Sequence, residues 1–154
     1  MLNNAKTAAL LAGLGGLIMA IGAIAGGTSG LTIGLVIALV TVGGSYWFSD
    51  KLAITAARAQ EVCEQEYPQY FATVRDLAQR ANIPMPRLYV APNPQPNAFA
   101  TGRNPEHAAV CVNEGLMQYL TWEEISGVLA HEISHVRNRD ILTSSVAAAI
   151  AMGI

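Results

Sequence analysis

Hydrophobic and polar positions divide the chain into three unlike stretches. No charged side chain occurs between Lys6 and Asp50, a gap long enough for two helical spans of about 20 residues each. Gly26-Gly27-Thr28-Ser29-Gly30 interrupts that gap near its middle, which predicts spans at 7–25 and 31–48 joined by a tight uncharged turn. Residues 51–140 mix charged and apolar positions. Here 51–66 reads as a helix continuing off the second span, and Pro68 suits the first turn of another that runs to about Arg80 with Tyr70, Phe71, Val74 and Leu77 inward. Short strands follow at 87–91, 97–102 and 108–113, with a rigid link at 92–96 and a turn at Arg103-Asn104-Pro105. A last helix is expected from about Trp122 to Arg139, opened by a capping box with Thr121 as N-cap and Glu124 at N3. From 141 to 154 the chain is apolar again but too short to cross a bilayer, so it reads as a third span that runs out.

Composition supports this division. Hydrophobic residues make up 52% of the 154 residues and charged residues only 13%, with a mean hydropathy of +0.34, a balance expected of membrane segments attached to a smaller polar body. The net charge of −2 without a basic cluster gives no reason to invoke nucleic acid. Lys6 precedes the first span, Lys51 and Arg58 follow the second, and the turn between them has no positive charge. Both ends of the hairpin are therefore expected on the cytoplasmic side. Tyr46, Trp47 and Phe48 look like an interfacial aromatic anchor, and the Gly22/Gly26 and Gly30/Gly34 pairs have the spacing that lets helices approach closely. A cleaved signal peptide ending at Ala23-Ile24-Ala25 is the competing reading of the first span. Its apolar core exceeds the roughly 7–15 residues such peptides use, and a second span follows at once. Cys63 and Cys111 read as small apolar fillers in a reducing compartment.

The chemistry is concentrated in His131-Glu132-Ile133-Ser134-His135. Residues four apart on a helix lie about 40° apart around the axis and one turn along it, so both imidazoles can reach one metal ion with Glu132 beside them. That arrangement suits a Zn²⁺ ion held by two neutral imidazoles and a carboxylate that takes a proton from water attacking a peptide carbonyl. With three histidines in the chain, the expected number of chance HExxH matches is on the order of 0.003. Trp122, Ile125, Leu129, Ile133 and Val136 form an apolar stripe beside the histidines, and Gly127, Ala130 and Ser134 form a face of small residues where a neighbour could pack. A third protein ligand is missing from this picture. Asp140 points away unless the helix has ended and the backbone turns back, and Glu124 lies about 10 Å back along the axis. Glu106, His107 and Glu114 show no ligand-like pattern, so the third ligand is expected beyond residue 154.

Tyr46-Trp47-Phe48-Ser49-Asp50-Lys51, the run from Pro94 to Pro105, and His131 to His135 followed by Asn138-Arg139-Asp140 together resemble the HtpX family of membrane zinc metalloproteases over essentially the whole chain. The resemblance implies a mainly helical α+β fold: a zincin-like metalloprotease domain with a small β-sheet, inserted between transmembrane helices. Residues 1–50 would be the two-span hairpin, 51–140 the N-terminal part of a cytoplasmic zinc metallopeptidase domain, and 141–154 the start of a truncated third span. It further implies a multi-pass protein of the bacterial inner membrane that degrades misfolded or damaged membrane proteins under stress. By motif match His131 and His135 would bind one Zn²⁺ and Glu132 would be the general base. The family's third ligand, a glutamate on a later helix, has no counterpart within the 154 residues, so this fragment alone is expected to be inactive. The resemblance also places the strand at 97–101 beside the cleft, where an edge strand could pair with an extended substrate.

Two other functions fit parts of the pattern. An intramembrane protease also uses HExxH, but Glu123, Glu124, Arg137, Arg139 and Asp140 around this motif make a lipid-buried location costly. A membrane scaffold that keeps the fold without the chemistry would bind no zinc.

Overall fold

The computed structural model describes residues 2–141. Helix α1 (Leu2–Trp47) is helical on both sides of Gly26 and Gly27, whose backbones leave the helical region at φ −139°, ψ 15° and φ 58°, ψ −134°. The chain reverses there. A side chain added at Gly22 would collide with the carbonyl oxygen of Gly30 and meet the Gly34 Cα at 3.3 Å, although residues eight apart in a straight helix are about 12 Å apart. The break is shorter than expected from the sequence, because Thr28 to Gly30 are already helical. Residues Ala8–Gly44, with a mean hydropathy of 2.2, are long and apolar enough to cross a membrane.

Helix α2 (Ser49–Ala56) ends far earlier than the helix expected over 51–66. Arg58 takes a left-handed conformation at φ 53°, which turns the chain into strand β1 (Gln60–Glu61). The correction has a tertiary cause. The open edge of β2 (Arg87–Ala91) offers partners at Tyr89 and Val90, and Val62 N–H adds a bond to the Leu88 carbonyl. Between these strands lies α3 (Pro68–Ala81), with Pro68 in its first turn and Tyr70, Val74 and Ala78 buried. Asn82 in the left-handed region closes it.

The remaining strands are β3 (Ala98–Thr101) and β4 (Ala109–Asn113), and they complete a sheet of order β1-β2-β4-β3. β2 runs parallel to β4, while β1 and β3 are antiparallel to their neighbours. Gly102, at φ 139°, makes the turn after β3, where a Cβ would collide with the His107 carbonyl oxygen. A 3₁₀ turn, Pro105–His107, then leads into β4, held by Asn104 capping the His107 N–H. Two helices follow: α4 (Glu114–Tyr119), which was not anticipated, and α5 (Trp122–Asn138). The apolar run expected at 141–154 lies outside the described residues, apart from Ile141, which is buried with Ala108 and Val136.

Alternation along the strands separates the two faces of the sheet. Leu88, Val90, Val110, Val112 and Ala98 point to one face and cluster there with Tyr70 and Val74 of α3 and Ile125, Leu129 and Ile133 of α5. Tyr89, Ala91, Ala109 and Cys111 point to the other, against Ile54 and Ala57 at the end of α2. Buried Tyr70 donates its hydroxyl to the Val110 carbonyl at 3.1 Å. Both cysteines are free, Cys111 buried and Cys63 exposed, so the filler role fits Cys111 alone. Burial pushes the Cys111 thiol up to about 12, which keeps it protonated and inert. Asp50, Arg87, Tyr89 and Glu61 form a chain of polar contacts tying α2 to β2 and β1, with Arg87 bonded to Asp50 at 2.5 Å.

Leu129 is fully buried where α5 meets the sheet. Leu129→Ala should therefore lower stability by about 2–5 kcal/mol, read by denaturant unfolding of the detergent-solubilised protein. A loss below about 1 kcal/mol would place this side chain outside the core.

Candidate metal and catalytic site

The capping box expected at the start of α5 is present. Thr121 N–H and Oγ1 both donate to Glu124 Oε2, at 2.8 and 3.0 Å, and Thr121 Oγ1 accepts from the Glu124 N–H at 3.4 Å. Ile125, Leu129, Ile133 and Val136 are buried, as the stripe requires. Taking the stripe as reference, Glu132 lies about 60° round the helix, His135 about 120° and His131 about 160°. The two histidines thus stand clear of the core while Glu132 occupies the flank between them and the sheet.

The histidines converge. Their Nε2 atoms are 3.1 Å apart, with ring centroids 4.6 Å apart and ring planes nearly perpendicular. Two bonds of about 2.0–2.1 Å to one tetrahedral ion would hold such nitrogens about 3.3 Å apart, so this donor pair fits zinc with little adjustment. Glu132 reaches toward the sheet, where its Oε2 accepts the Ala100 N–H of β3 at 3.0 Å. This main-chain contact has no signature in the sequence, because Ala100 contributes only its backbone.

Asp140 resolves a conditional expectation. Arg139 caps α5 in the left-handed region at φ 58°, ψ 35°, and Asp140 N–H returns to the His135 carbonyl at 3.3 Å. The chain therefore does turn back. Both carboxylate oxygens of Asp140 lie 3.1 Å from His135 Nδ1. With Nδ1–H donating to a carboxylate, the lone pair of His135 is left on Nε2, facing His131. Asp140 thus orients a histidine and is not placed to share an ion with it.

The remaining acidic and imidazole candidates lie elsewhere. Glu124 is occupied by the capping box, His107 bonds Asn104 in the turn before β4, and Glu114 begins α4. Among the described residues, no three His, Cys, Asp or Glu side chains gather where they could hold one ion. The small-residue face also differs from expectation. Gly127 and Ala130 are exposed, and a Cβ at Gly127 would meet nothing within 4 Å, because α3 and the sheet approach α5 from the opposite side.

The C-terminal half of α5 thus carries two convergent imidazoles and an adjacent carboxylate outside the apolar core, a donor set unlike a packed core histidine pair. Residues 64–153 match Peptidase family M48, and the chain belongs to that family. It is 55% identical over 146 residues to a protease HtpX homolog of Syntrophobacter fumaroxidans, covering 95% of this chain and 52% of that protein. Protease HtpX homologs of Burkholderia ambifaria and Burkholderia thailandensis are each 51% identical over 154 residues, covering 100% of this chain and 54% of theirs. The chain spans about half the length of these relatives.

Hydrogen bonds from the Thr121 backbone, then its hydroxyl, hold the Glu124 carboxyl below its usual 4.5. A carboxylate lowered in this way contributes stability in full above the unfolded value and loses it as pH falls through the folded one. Glu124→Gln should accordingly flatten the loss of stability as pH falls below the usual carboxylate range. An unchanged acid limb in denaturant melts of the variant would remove the capping box from the account.

Proposed function

We propose that this chain is the N-terminal part of a membrane-bound, zinc-dependent endopeptidase with a zincin-like catalytic domain. The observation that carries the reading is the pair of Nε2 atoms 3.1 Å apart on one helix face, with Glu132 alongside, in a member of a peptidase family. His131 and His135 would hold one Zn²⁺, and the third protein ligand would come from chain beyond residue 154. That assignment fits relatives about twice this length. When bound, zinc makes water a competent nucleophile near neutral pH.

The chain's own groups supply the rest. Glu132 takes the proton from the attacking water at a carboxylate oxygen and returns it to the departing amine. Asp140 holds the His135 ring so that Nε2 stays free as a donor to metal. Strand β3 is the sheet's edge, and its Ala100 N–H points away from β4 to the carboxylate of Glu132. An extended substrate backbone pairing along that edge would lie beside the base, and main-chain pairing tolerates many sequences.

Location follows from the hairpin. Leu17, Ile24, Ile33, Leu39 and Val40 are exposed on its surface at 58–87%, an arrangement suited to lipid. We read α1 as two spans of the bacterial inner membrane with both ends cytoplasmic, where Lys6, Lys51 and Arg58 lie. The exposed Glu123, Glu124, Arg137 and Arg139 support a motif that lies in water rather than in the lipid. Misfolded or damaged membrane proteins are the proposed substrates.

Carried to the full length of its relatives, the protein should cleave an unfolded protein in a zinc-dependent way. Glu132→Gln should lower that rate about 10²–10⁴-fold with zinc still bound; full activity in the variant would exclude Glu132 as the base. Asp140→Asn should weaken zinc binding about 10–100-fold, measured by competition with a chromophoric chelator. Unchanged affinity there would leave Asp140 without its orienting role.

A further inference from the structure

A cavity of about 690 Å³ lies where the hairpin meets the folded body, within the roughly 300–1,000 Å³ of sites that take small molecules. Trp47 and Phe48, exposed at 59% and 52%, line it directly after the apolar segment ends at Gly44. Its charged groups are Asp50, Lys51, Arg87, Arg103 and Glu106, with His107 beside them. Asp50, only 8% exposed, is taken up by Arg87. His107 Nδ1 is engaged by Asn104 Oδ1 at 2.7 Å. Lys51 and Arg103 make no ion pair among the described residues and rest instead on aromatic faces. The Lys51 ammonium sits 5.7 Å from the Phe48 ring centre and the Arg103 guanidinium 4.8 Å from that of Trp47.

We propose that this cavity binds the phosphate of an anionic phospholipid. The inference rests on reading α1 as membrane-spanning. A guanidinium held against an indole face by cation–π attraction still has N–H donors that the ring does not satisfy, and these match the oxygens of a phosphate. Three positive groups against two negative ones leave the cavity with a surplus of positive charge, suited to a phosphodiester with no compensating amine. Its position favours a lipid over a soluble phosphate. Aromatic residues at the end of an apolar helix sit at headgroup depth, so a lipid in the cavity keeps its acyl chains against the hairpin. Arg103 follows β3 by two residues, so the bound headgroup would also hold the turn that ends the sheet's edge strand.

The test uses the protein at its full natural length, in neutral detergent, with bound lipid counted by native mass spectrometry. Dioctanoyl-phosphatidylglycerol should occupy one saturable site about tenfold more tightly than dioctanoyl-phosphatidylcholine. The double substitution Lys51→Gln with Arg103→Gln should lose that preference, and Glu106→Gln should tighten phosphatidylglycerol binding. Because the last change works in the opposite direction, general damage to the fold cannot imitate it. Equal binding of the two lipids, indifference to all three substitutions, or displacement of phosphatidylglycerol by an equal concentration of inorganic phosphate would overturn the proposal. Extraction of membranes at alkaline pH separates the underlying reading. Release of the protein into the supernatant removes both the spans and the lipid site, whereas a protein kept in the pellet without lipid preference loses only the site.

Discussion

Leu129 and Ile133 of α5 pack in one cluster with Val110 and Val112 of β4, and none of the four is more than 2% exposed. That burial fixes the rotation of α5, and rotation is what the candidate chemistry depends on. With the stripe against the sheet, a helix of 3.6 residues per turn has no choice but to project His131 and His135 away from the core and Glu132 along its flank. A turn of one residue, about 100°, would drive an imidazole into an apolar cluster and bring a leucine out. The motif and the stripe are therefore one constraint, expressed on two sides of the same helix. The hydrogen bond from Ala100 N–H to Glu132 acts in the same sense, joining the helix flank to β3.

The ends of α5 add the remaining order. At its start, Thr121 and Glu124 satisfy main-chain groups that a helix end leaves unpaired. At its end, the left-handed Arg139 lets Asp140 fold back under His135. A continuous helix would have carried residue 140 about 140° round from His135 and out of reach. The interruption of the helix is thus what gives His135 its carboxylate partner. It fixes which ring nitrogen remains available, although neither residue of the pair belongs to the core.

Much of this was legible in the residues themselves, and the exceptions share a cause. The stripe, the capping box and β2 carry strong local signals: helical spacing, Thr-x-x-Glu, and a β-branched and aromatic run bounded by prolines. Their extents agree with the structure to within a residue or two. The helix expected over 51–66 failed at Arg58, where no glycine or proline marks the turn, and the strand that follows is held by its pairing with β2 rather than by its own composition. Helix α4 has six residues, too few to show a period, and its Gly115 runs so close to the Pro94 carbonyl that a Cβ there would collide with it. The hairpin turn was visible as a glycine cluster, but only the fold tells that two glycines suffice for it. At the candidate site, side chains could be read from their spacing. The Ala100 N–H could not, because a main-chain donor has no letter in a sequence.

Asp50 connects the two halves of the molecule. It is the first charged residue after the apolar segment, and a carboxylate that is 8% exposed is tolerated only when paired. Arg87, the first residue of β2, supplies that pair and continues through Tyr89 to Glu61. The ion pair consequently sets how the sheet sits on the foot of the hairpin. α2 covers one face of the sheet through Ile54 and Ala57, and α5 covers the other. On the proposed reading, the thickness of the sheet then separates the metal-binding helix from the helix that leaves the membrane. On that same reading, α5 would stay in water yet close to the bilayer, a position from which the edge strand β3 could pair with an extended polypeptide. The tether is also short. Only Phe48 separates α1 from α2, so the folded body follows the hairpin without an extended linker between them.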